Sequence, residues 1–572
     1  MIRKPSRIAP AVATVRSRDP FLESSCLIPA ISRIALIALI GGVALYEPAY
    51  SQTTNEGAAP PPANSVKLED LPKEDGTFFP LSLRHALKSP LPRRVFRDTE
   101  VPPVLDELSF YGGASGTIAE FQPSGPTTTS SNAFFQALGS NGRSCFTCHQ
   151  PADGMSISIK HINDVFRITG GHDPLFALPD GPTCPNNVPA SETSGALVGG
   201  AVSTGTGTLA DAFKTLLKRG LIRVFNPVPV GADYTIEVVS DPYGCAIVNE
   251  TDSNGVARQL VSVYRRPRIS ASMLFAVSAA PPPATPPATP ETGNGSGNIM
   301  WDGREPFLEH QVIDATEIHG ATNTAPTAAQ QTQIVNFETG IFSAMTRTRG
   351  AGELTARYAL GGPVVLASET VGQRSSTPFT LFTTWQRLPK NFDRAAFRES
   401  VARGEALFNG TAPNGNATFA ISNDSGINKP GQPPITTGHC ATCHSQHFDG
   451  ADSFPSAQQD QGIGGDSANL GGPAPSPFLP IFKVTCKTGS STDFHGTSVL
   501  TNDPGKALIS GKCADVSKFT VPQLRALAPR APYFSDGSAA TLLDVVKFYD
   551  KRFAIGLSPE DKNDLANFLS SL

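Results

Sequence analysis

The chain has 572 residues and a formal net charge of −4, so it is long enough for two or three domains and mildly acidic. This charge offers nothing for binding nucleic acid; it suits basic partners such as small electron carriers, and it is equally consistent with plain solubility. With 52 glycines and 51 prolines, much of the chain must run in loops and turns.

The N-terminal segment has the pattern of an export signal. Arg33 precedes an apolar run over residues 34–45, and Ala49 and Ser51 supply the small residues that a signal peptidase requires. We therefore expect residues 1–51 to be a signal peptide and the mature protein to be periplasmic. A membrane anchor is the alternative, but the run is well short of the roughly 20 apolar residues that span a bilayer. No stable membrane anchor is expected.

Residues 52–128 form an N-terminal extension. It is rich in proline, serine and threonine and begins with TTNEGAAPPPANS. Because such a composition buries little apolar surface, we expect a partly disordered tail that becomes an ordered arm.

The pattern Cys-x-x-Cys-His occurs twice. Its residues are Cys145, Cys148 and His149 in the first copy and Cys440, Cys443 and His444 in the second. This pattern attaches c-type haem: the two thiols add to the vinyl groups, and the histidine lies under the iron as the proximal ligand. A four-cysteine zinc site would leave both histidines unexplained. The sequence therefore predicts two covalently bound haem c groups, with His149 and His444 as iron ligands.

A long segment, residues 170–297, follows the first motif. It contains runs with β-strand character, LIRVFNPVPV and YTIEVV, and it ends in a proline-rich stretch. Cys184 and Cys245 lie within it, and Cys486 and Cys513 lie near the second motif. In an oxidising compartment the pairing with the shortest loops is Cys184–Cys245 and Cys486–Cys513, as stabilising crosslinks.

The second motif is bracketed by two helical patterns. Before it, Phe397, Val401 and Phe408 recur near helical spacing. After it, Ser558 is placed as an N-cap with Pro559 at the first helical position, followed by an apolar face. An opening and a closing helix around a haem loop indicate a cytochrome-like domain.

Methionine, the common second iron ligand of electron carriers, is absent after the second motif. The C-terminal haem is therefore expected to lack methionine ligation from its own domain. Met155 lies only seven residues after Cys148, too close to reach the far side of the first haem, and is interpreted as a packing residue.

Three segments resemble the di-haem cytochrome c peroxidase family, in its MauG-like branch. They are MWDGREPFLEHQ at residues 300–311, FTVPQLRALAPRAPYFSDGSAATLLDVVKFYD at residues 519–550, and the closing helix. Trp301 matches the tryptophan that this family places between its haems, and Gln311 matches the glutamine of its distal pocket. The resemblance runs from about residue 130 to the C-terminus and leaves out the insertion.

The resemblance implies a ligand for the second haem. Where the peroxidases have a methionine and MauG-like enzymes a tyrosine, this chain has Tyr549, in agreement with the missing methionine. Packing in an amphipathic helix would also explain Tyr549, and His495 and His447 are the other candidate ligands.

The resemblance also makes the His149 haem the peroxide-reactive one, whose distal side needs a group that moves a proton. The family glutamate is replaced by Ala321, so Glu317 and His319 are the nearest substitutes, unless this stretch is only a surface loop. Ser535, where a histidine is usual, is a second departure. Calcium between the domains is implied as well, without a loop specific enough to assign its ligands.

The expected fold is mainly α: two cytochrome c-like helical domains with a loop-rich, partly β insertion. The predicted boundaries are residues 129–390 for the N-terminal, peroxidatic haem domain with insertion 170–297, and residues 391–572 for the C-terminal, electron-transfer haem domain. The insertion would cap the pocket, dock a partner, or be structural decoration.

The sequence therefore predicts an exported di-haem peroxidase that reduces hydrogen peroxide at the N-terminal haem, with electrons relayed through the C-terminal haem and Trp301. The donor would be a small protein, a cytochrome c or a cupredoxin, or an organic reductant. The alternatives are a di-haem electron-transfer protein and a di-haem oxygenase of the rubber-cleaving type.

Overall fold

The described part of the chain combines 12 α-helices with 18 short strands. The computed structural model describes residues 101–178, 180–190, 205–251, 257–278, 295–369, 378–412, 418–420, 436–451, 458–465, 474–492 and 495–572. All of these residues belong to one compact unit, Pro72–Leu572. The predicted signal peptide and the first part of the predicted extension lie outside the described residues.

The α-helices are mostly short, and four of them have 11 or 12 residues. They are α1 (Ile159–Thr169), α2 (Leu209–Ala212), α3 (Lys214–Arg219), α4 (Met273–Ser278), α5 (Leu308–His319), α6 (Ala328–Gly340), α7 (Pro363–Ser368), α8 (Ala395–Phe408), α9 (Cys440–Cys443), α10 (Ala507–Ser510), α11 (Leu542–Phe553) and α12 (Pro559–Leu569).

The strands pair antiparallel in seven small sheets. They are β1 (Val104–Leu105), β2 (Leu108–Gly112), β3 (Gly116–Phe121), β4 (Thr127–Thr128), β5 (Ile222–Pro227), β6 (Tyr234–Ser240), β7 (Ile247–Thr251), β8 (Ala257–Arg265), β9 (Gly295–Ile299), β10 (Glu305–Phe307), β11 (Phe342–Thr348), β12 (Gly352–Glu353), β13 (Phe419–Ala420), β14 (Thr437–Gly438), β15 (Gln458–Gln459), β16 (Ile481–Cys486), β17 (Ser498–Thr501) and β18 (Phe519–Thr520). The larger sheets have the orders β12-β11-β3-β2, β17-β16-β6 and β5-β8-β7.

The expectation of a mainly α fold is not confirmed, because helices and strands are mixed throughout the described residues. Strands β2 and β3 already pair within the predicted extension, and β11 joins them from residues 342–348. These strands are short and carry small residues, so their two-residue periodicity is weak in the sequence. Their pairing depends on contacts between distant parts of the chain rather than on local pattern.

The predicted opening and closing helices of the second motif are confirmed as α8 and α12. The Ser558 hydroxyl caps α12 by accepting a hydrogen bond from the Asp561 amide at 3.1 Å. The two helices cross at Gly404, where an added Cβ would lie 2.0 Å from the backbone oxygen of Asp564. The crossing therefore requires glycine, since any side chain would force the helices apart.

The insertion is built into the rest of the molecule rather than standing apart from it. Both predicted β-type runs form strands, β5 and β6, and β6 pairs with β16 from the second half of the chain, with Ile236 opposite Val484. The predicted disulfides are confirmed at Cys184–Cys245 and Cys486–Cys513. One sheet therefore joins the insertion to residues of the predicted C-terminal haem domain.

The helix crossing gives a test of the fold. We expect Gly404→Ala to lower the free energy of unfolding by about 1–3 kcal/mol, because overpacking outweighs the gain in helix propensity of about 1 kcal/mol. Gly340→Ala, at the end of α6, is the matched control, because an added Cβ there meets nothing within 4 Å. Denaturant unfolding of both variants measures the difference, and equal stabilities would contradict the close crossing.

Candidate haem sites and the wall between them

The first Cys-x-x-Cys-His motif forms a single tight turn. The amide of His149 donates to the Cys145 carbonyl at 3.1 Å, and the Ser144 amide donates to the Thr147 hydroxyl at 3.1 Å. The Nδ1 atom of His149 lies 2.9 Å from the carbonyl oxygen of Met155. Met155 is fully buried, as its interpretation as a packing residue requires.

The second motif repeats this geometry in α9. The amide of His444 donates to the Cys440 carbonyl at 3.0 Å, and its Nδ1 lies 2.8 Å from the carbonyl oxygen of Gly450. In both motifs the acceptor is therefore the carbonyl six residues after the histidine. A carbonyl can only accept, so Nδ1 carries the proton and the lone pair is on Nε2.

Burial keeps both histidines neutral. It lowers the pKa of His149 to about 4 and lowers the pKa of His444 in the same direction, in each case against the opposing effect of the backbone carbonyl. A neutral imidazole with a fixed Nδ1–H is the form that binds iron through Nε2. All four motif cysteines are free thiols, as attachment requires.

Each motif opens into its own cavity. The C-terminal cavity is lined by Cys440, Cys443 and His444 and by Tyr549 from α11. The N-terminal cavity is lined by the residues of the first motif, Cys145, Cys148 and His149, and by Gln311 and His319 from α5. In each cavity two thiols and a neutral histidine are thus exposed to one enclosed space, which fits a haem held by two thioether bonds and one imidazole.

Trp301 lines both cavities, together with Arg266 and Arg268. Its indole Nε1–H donates to the Arg266 carbonyl at 2.7 Å, and the guanidinium of Arg268 lies 5.7 Å from its ring centroid. The predicted tryptophan is therefore in the wall that the two cavities share, with its ring orientation fixed by a hydrogen bond.

The shared wall is anchored by Arg265. Its guanidinium pairs with Asp302 at 2.5 Å and with both carboxylate oxygens of Asp503 at 2.6 and 2.9 Å. Arg265 ends β8 in the insertion, Asp302 follows Trp301, and Asp503 belongs to the second half of the chain. All three side chains are at most 7% exposed.

Tyr549 faces the second motif across the C-terminal cavity. Its ring packs against the rings of Phe534, Phe548 and Phe553, with centroids 5.3 to 6.2 Å apart. Burial, followed by the nearby motif thiols, raises its pKa. No hydrogen bond joins its hydroxyl to another described residue, so the oxygen is left for a ligand in the cavity.

The alternative ligands lie elsewhere. His495 is buried, with Nε2 3.0 Å from a carboxylate oxygen of Asp460, and neither it nor His447 lines the C-terminal cavity. The geometry therefore brings Tyr549, and not these two histidines, to the second motif.

Helix α5 presents one face to the N-terminal cavity. Gln311, Ala315 and His319, spaced four residues apart, all line it. Glu317, two residues before His319, is on the exposed side of the helix and does not line the cavity. Of the two substitutes predicted for the missing glutamate, the helix therefore brings only His319 to the first motif.

A buried carboxylate, Asp180, contacts His319. It pairs with His319 Nδ1 on one side and with the Arg143 guanidinium on the other. Burial acts to raise the pKa of Asp180, but Arg143 and His319 together lower it to about 2. Asp180 is therefore ionised at any physiological pH.

Sequence reasoning missed Asp180 and a second carboxylate, Glu338. Glu338 lies in the last turn of α6 and lines the N-terminal cavity; it is 6% exposed and has no hydrogen-bond partner for Oε2 among the described residues. Burial raises its pKa to about 8. No spacing rule connects either residue to the haem motif, so the sequence carried no signal for them.

The described residues include neither a cluster of side chains for a metal ion nor a membrane-spanning helix. Within those ranges, no group of three or more His, Cys, Asp or Glu side chains is arranged to hold a metal ion such as calcium. No helix of the described chain has the length and apolar character needed to cross a membrane.

Comparison with known proteins finds no matching family model. The cytochrome-c peroxidase IdrP1 of Denitromonas iodatirespirans is 23% identical over 290 residues, and that of Pseudomonas sp. (strain SCT) is 24% identical over 298 residues. The chain is a distant relative of these cytochrome-c peroxidases. Each match covers 48% of this chain and 64% of the relative, so less than two thirds of either relative is represented.

Solved structures with partial similarity include a MauG-like protein associated with microbial copper homeostasis, at 16% identity and a TM-score of 0.26 over 57% of this chain and 76% of that one. Kuenenia stuttgartiensis hydrazine synthase is similar at 13% identity and a TM-score of 0.25, and the match covers 68% of this chain and 85% of that one. Scores this low carry no argument about the fold. The sequence relation supports a peroxidase-like family, and the MauG-like branch stays a prediction.

Haem attachment can be counted directly. We expect the denatured wild-type chain to carry two haems by intact mass, and the Cys145→Ala/Cys148→Ala and Cys440→Ala/Cys443→Ala variants to carry one each, because the thioether bonds survive unfolding. Cys184→Ala/Cys245→Ala removes a disulfide instead and should keep both haems. A wild-type chain whose mass contains no haem would contradict both sites.

Proposed function

We propose that this protein is an exported di-haem oxidoreductase that reduces hydrogen peroxide with electrons from an external carrier. In the overall reaction one hydrogen peroxide takes up two electrons and two protons and leaves as two water molecules. The observation that carries the proposal is the pair of cavities, each with an attachment motif, that share a wall containing Trp301. Haem bound at the two motifs would supply one-electron redox chemistry, with a coordination position for peroxide at the first.

The N-terminal cavity is assigned to peroxide because its polar groups suit proton movement. Gln311 and His319 project from one face of α5 into the space beside His149. An amide can hold a peroxide by hydrogen bonds, and an imidazole can accept a proton from the peroxide and return it.

The C-terminal cavity is assigned to electron storage and transfer. Its lining is mostly apolar. The Tyr549 hydroxyl is the side-chain oxygen that we propose as the second ligand of the iron there. We assign Tyr549 to the position that a methionine holds in the peroxidases, which is the feature of the MauG-like branch. An anionic oxygen ligand favours the oxidised state of an iron and lowers its reduction potential.

Trp301 is assigned the connecting role between the two cavities. Its ring is held in the shared wall by the Arg266 carbonyl and by Arg268 above its face. An aromatic ring at this place shortens the distance that an electron must cross between the two sites.

Export of the protein is supported by its two disulfides, since such bonds persist in oxidising compartments. We therefore place the protein in the periplasm, where a small redox protein, a cytochrome c or a cupredoxin, or an organic reductant would be the electron donor.

Peroxide titration tests the proposed function. We expect hydrogen peroxide to change the absorption spectrum of the ferric wild-type protein within one turnover, because a haem at the first motif would offer a coordination position to peroxide. The Cys440→Ala/Cys443→Ala variant keeps the first haem site and should still change its spectrum when peroxide is added. The Cys145→Ala/Cys148→Ala variant lacks that site and should not. A wild-type spectrum that peroxide leaves unchanged would refute the peroxidase, and turnover that requires dioxygen without peroxide would favour an oxygenase.

Replacement of Tyr549 tests the division between the cavities. Tyr549→Phe should alter the absorption and spin-resonance signals of one haem only and raise its reduction potential, because the anionic oxygen is lost. Tyr533→Phe is the control: Tyr533 lines the same cavity, but its hydroxyl already donates to the Leu527 carbonyl at 3.0 Å. If Tyr549→Phe changes neither signal, Tyr549 is a packing residue.

A further inference from the structure

Arg143 organises a loop of the insertion beside the first haem motif. Its guanidinium donates hydrogen bonds to the carbonyl oxygens of Pro174 at 2.8 Å, Leu175 at 3.0 Å and Ala177 at 2.8 Å. The same group pairs with Asp180 at the end of this loop. Arg143 is 5% exposed, so these bonds form away from solvent, where they are strong.

The same region also holds the end of α5. The side-chain Nδ2 of Asn141 donates to the carbonyl oxygens of Leu178 at 2.7 Å and of His319 at 2.6 Å, and Arg143 Nη1 donates to the His319 carbonyl at 3.3 Å. The backbone of His319 is thus tied to the segment that leads into the motif. Its ring is tied through Asp180, so both ends of this residue are fixed.

The ring contact decides which nitrogen of His319 is left for chemistry. Asp180 is fully buried and ionised, so it accepts the Nδ1–H of His319. His319 lines the N-terminal cavity, and no described residue bonds its Nε2. A carboxylate that accepts the Nδ1–H of an imidazole fixes the tautomer, so that Nε2 carries the lone pair, and it also fixes the orientation of the ring.

We propose that Asp180, held by Arg143, is a positioning residue that fixes the His319 ring so that Nε2 exchanges a proton with a peroxide in the N-terminal cavity. This inference rests on the proposed function and deepens it. Asp180 lies within the insertion, so the segment that extends the haem domain also supplies part of its acid–base machinery.

In the proposed step, Nε2 of His319 takes up one proton and later returns the same proton. Hydrogen peroxide gives one proton to Nε2 and becomes the hydroperoxide anion, while His319 becomes a cation that Asp180 stabilises. When the O–O bond breaks with two electrons from the external donor, Nε2 returns this proton to the departing oxygen, which leaves as water. The other oxygen takes up two protons from solvent and leaves as the second water. Proton transfer of this kind contributes about 10²–10⁴-fold to a rate.

Two carboxylates near the cavity, Glu317 and Glu338, suit the role of proton acceptor less well than His319. Glu317 is exposed and does not line the cavity, and Glu338 lines it without a hydrogen bond at Oε2 that would fix its direction. Of these three side chains, His319 alone combines access to the cavity with a buried partner, Asp180.

Single-turnover kinetics test the inference on the full haem-loaded protein. His319→Gln should lower the second-order rate of the peroxide-induced absorption change by about 10²-fold or more, and Asp180→Asn by about tenfold, because the proton acceptor is lost or misdirected. Asp180→Glu should recover part of this rate. Carbon monoxide binding to the reduced protein needs no proton transfer and should keep its wild-type rate in all three variants.

Asp173→Asn is the matched control. Asp173 caps the same loop by accepting a hydrogen bond from the Leu175 amide at 2.8 Å and makes no contact with His319. Its variant should react with peroxide at the wild-type rate. If Asp180→Asn does not accumulate with haem, His319→Asn, which keeps the Asp180–Arg143 ion pair, tests the proton acceptor by the same measurement.

Two results would overturn the inference. Wild-type peroxide rates in the His319 variants would remove its role as acceptor. A faster reaction with carbon monoxide and a new high-spin signal in those variants would instead make His319 an iron ligand. A wild-type protein that binds carbon monoxide but does not respond to peroxide refutes the proposed function itself, so the two failures are distinguishable.

Discussion

The buried ion pairs of Arg265 hold together three parts of the chain that the two cavities need. One guanidinium joins the insertion to Asp302, next to Trp301, and to Asp503 in the second half of the chain. Removing one partner from such a group leaves a buried charge uncompensated, which typically costs about 3–5 kcal/mol. The position of the indole, and with it the separation of the two cavities, follows from this contact.

The two haem motifs are alike in themselves and differ in what lies opposite them. Each histidine gives its Nδ1–H to the carbonyl six residues further on, so the local chemistry of His149 and His444 is the same. Helix α5 then brings Gln311 and His319 to one motif, while α11 brings Tyr549 to the other. The different roles proposed for the two copies of one motif therefore depend on the surrounding helices.

Chemistry that demands a local spacing was predictable, and contacts between distant segments were not. The Cys-x-x-Cys-His motifs and the cap at Ser558 follow from the reach of neighbouring residues, and both disulfides follow from short loops. Asp180 and His319 are 139 residues apart, and no periodicity links them. The strands were underestimated for the same reason, since β6 meets β16 only in the folded chain.

The pairing of β6 with β16 has a consequence for the order in which the molecule is assembled. In a chain made from its N-terminus, β6 is synthesised long before its partner β16, and the Arg265–Asp503 contact spans 238 residues. Contacts of such long range form late in folding. The N-terminal cavity is lined by residues 136–338 alone, so its walls are complete in sequence before β16 and Asp503 are made, whereas the anchoring of the shared wall through Arg265 requires both halves of the chain.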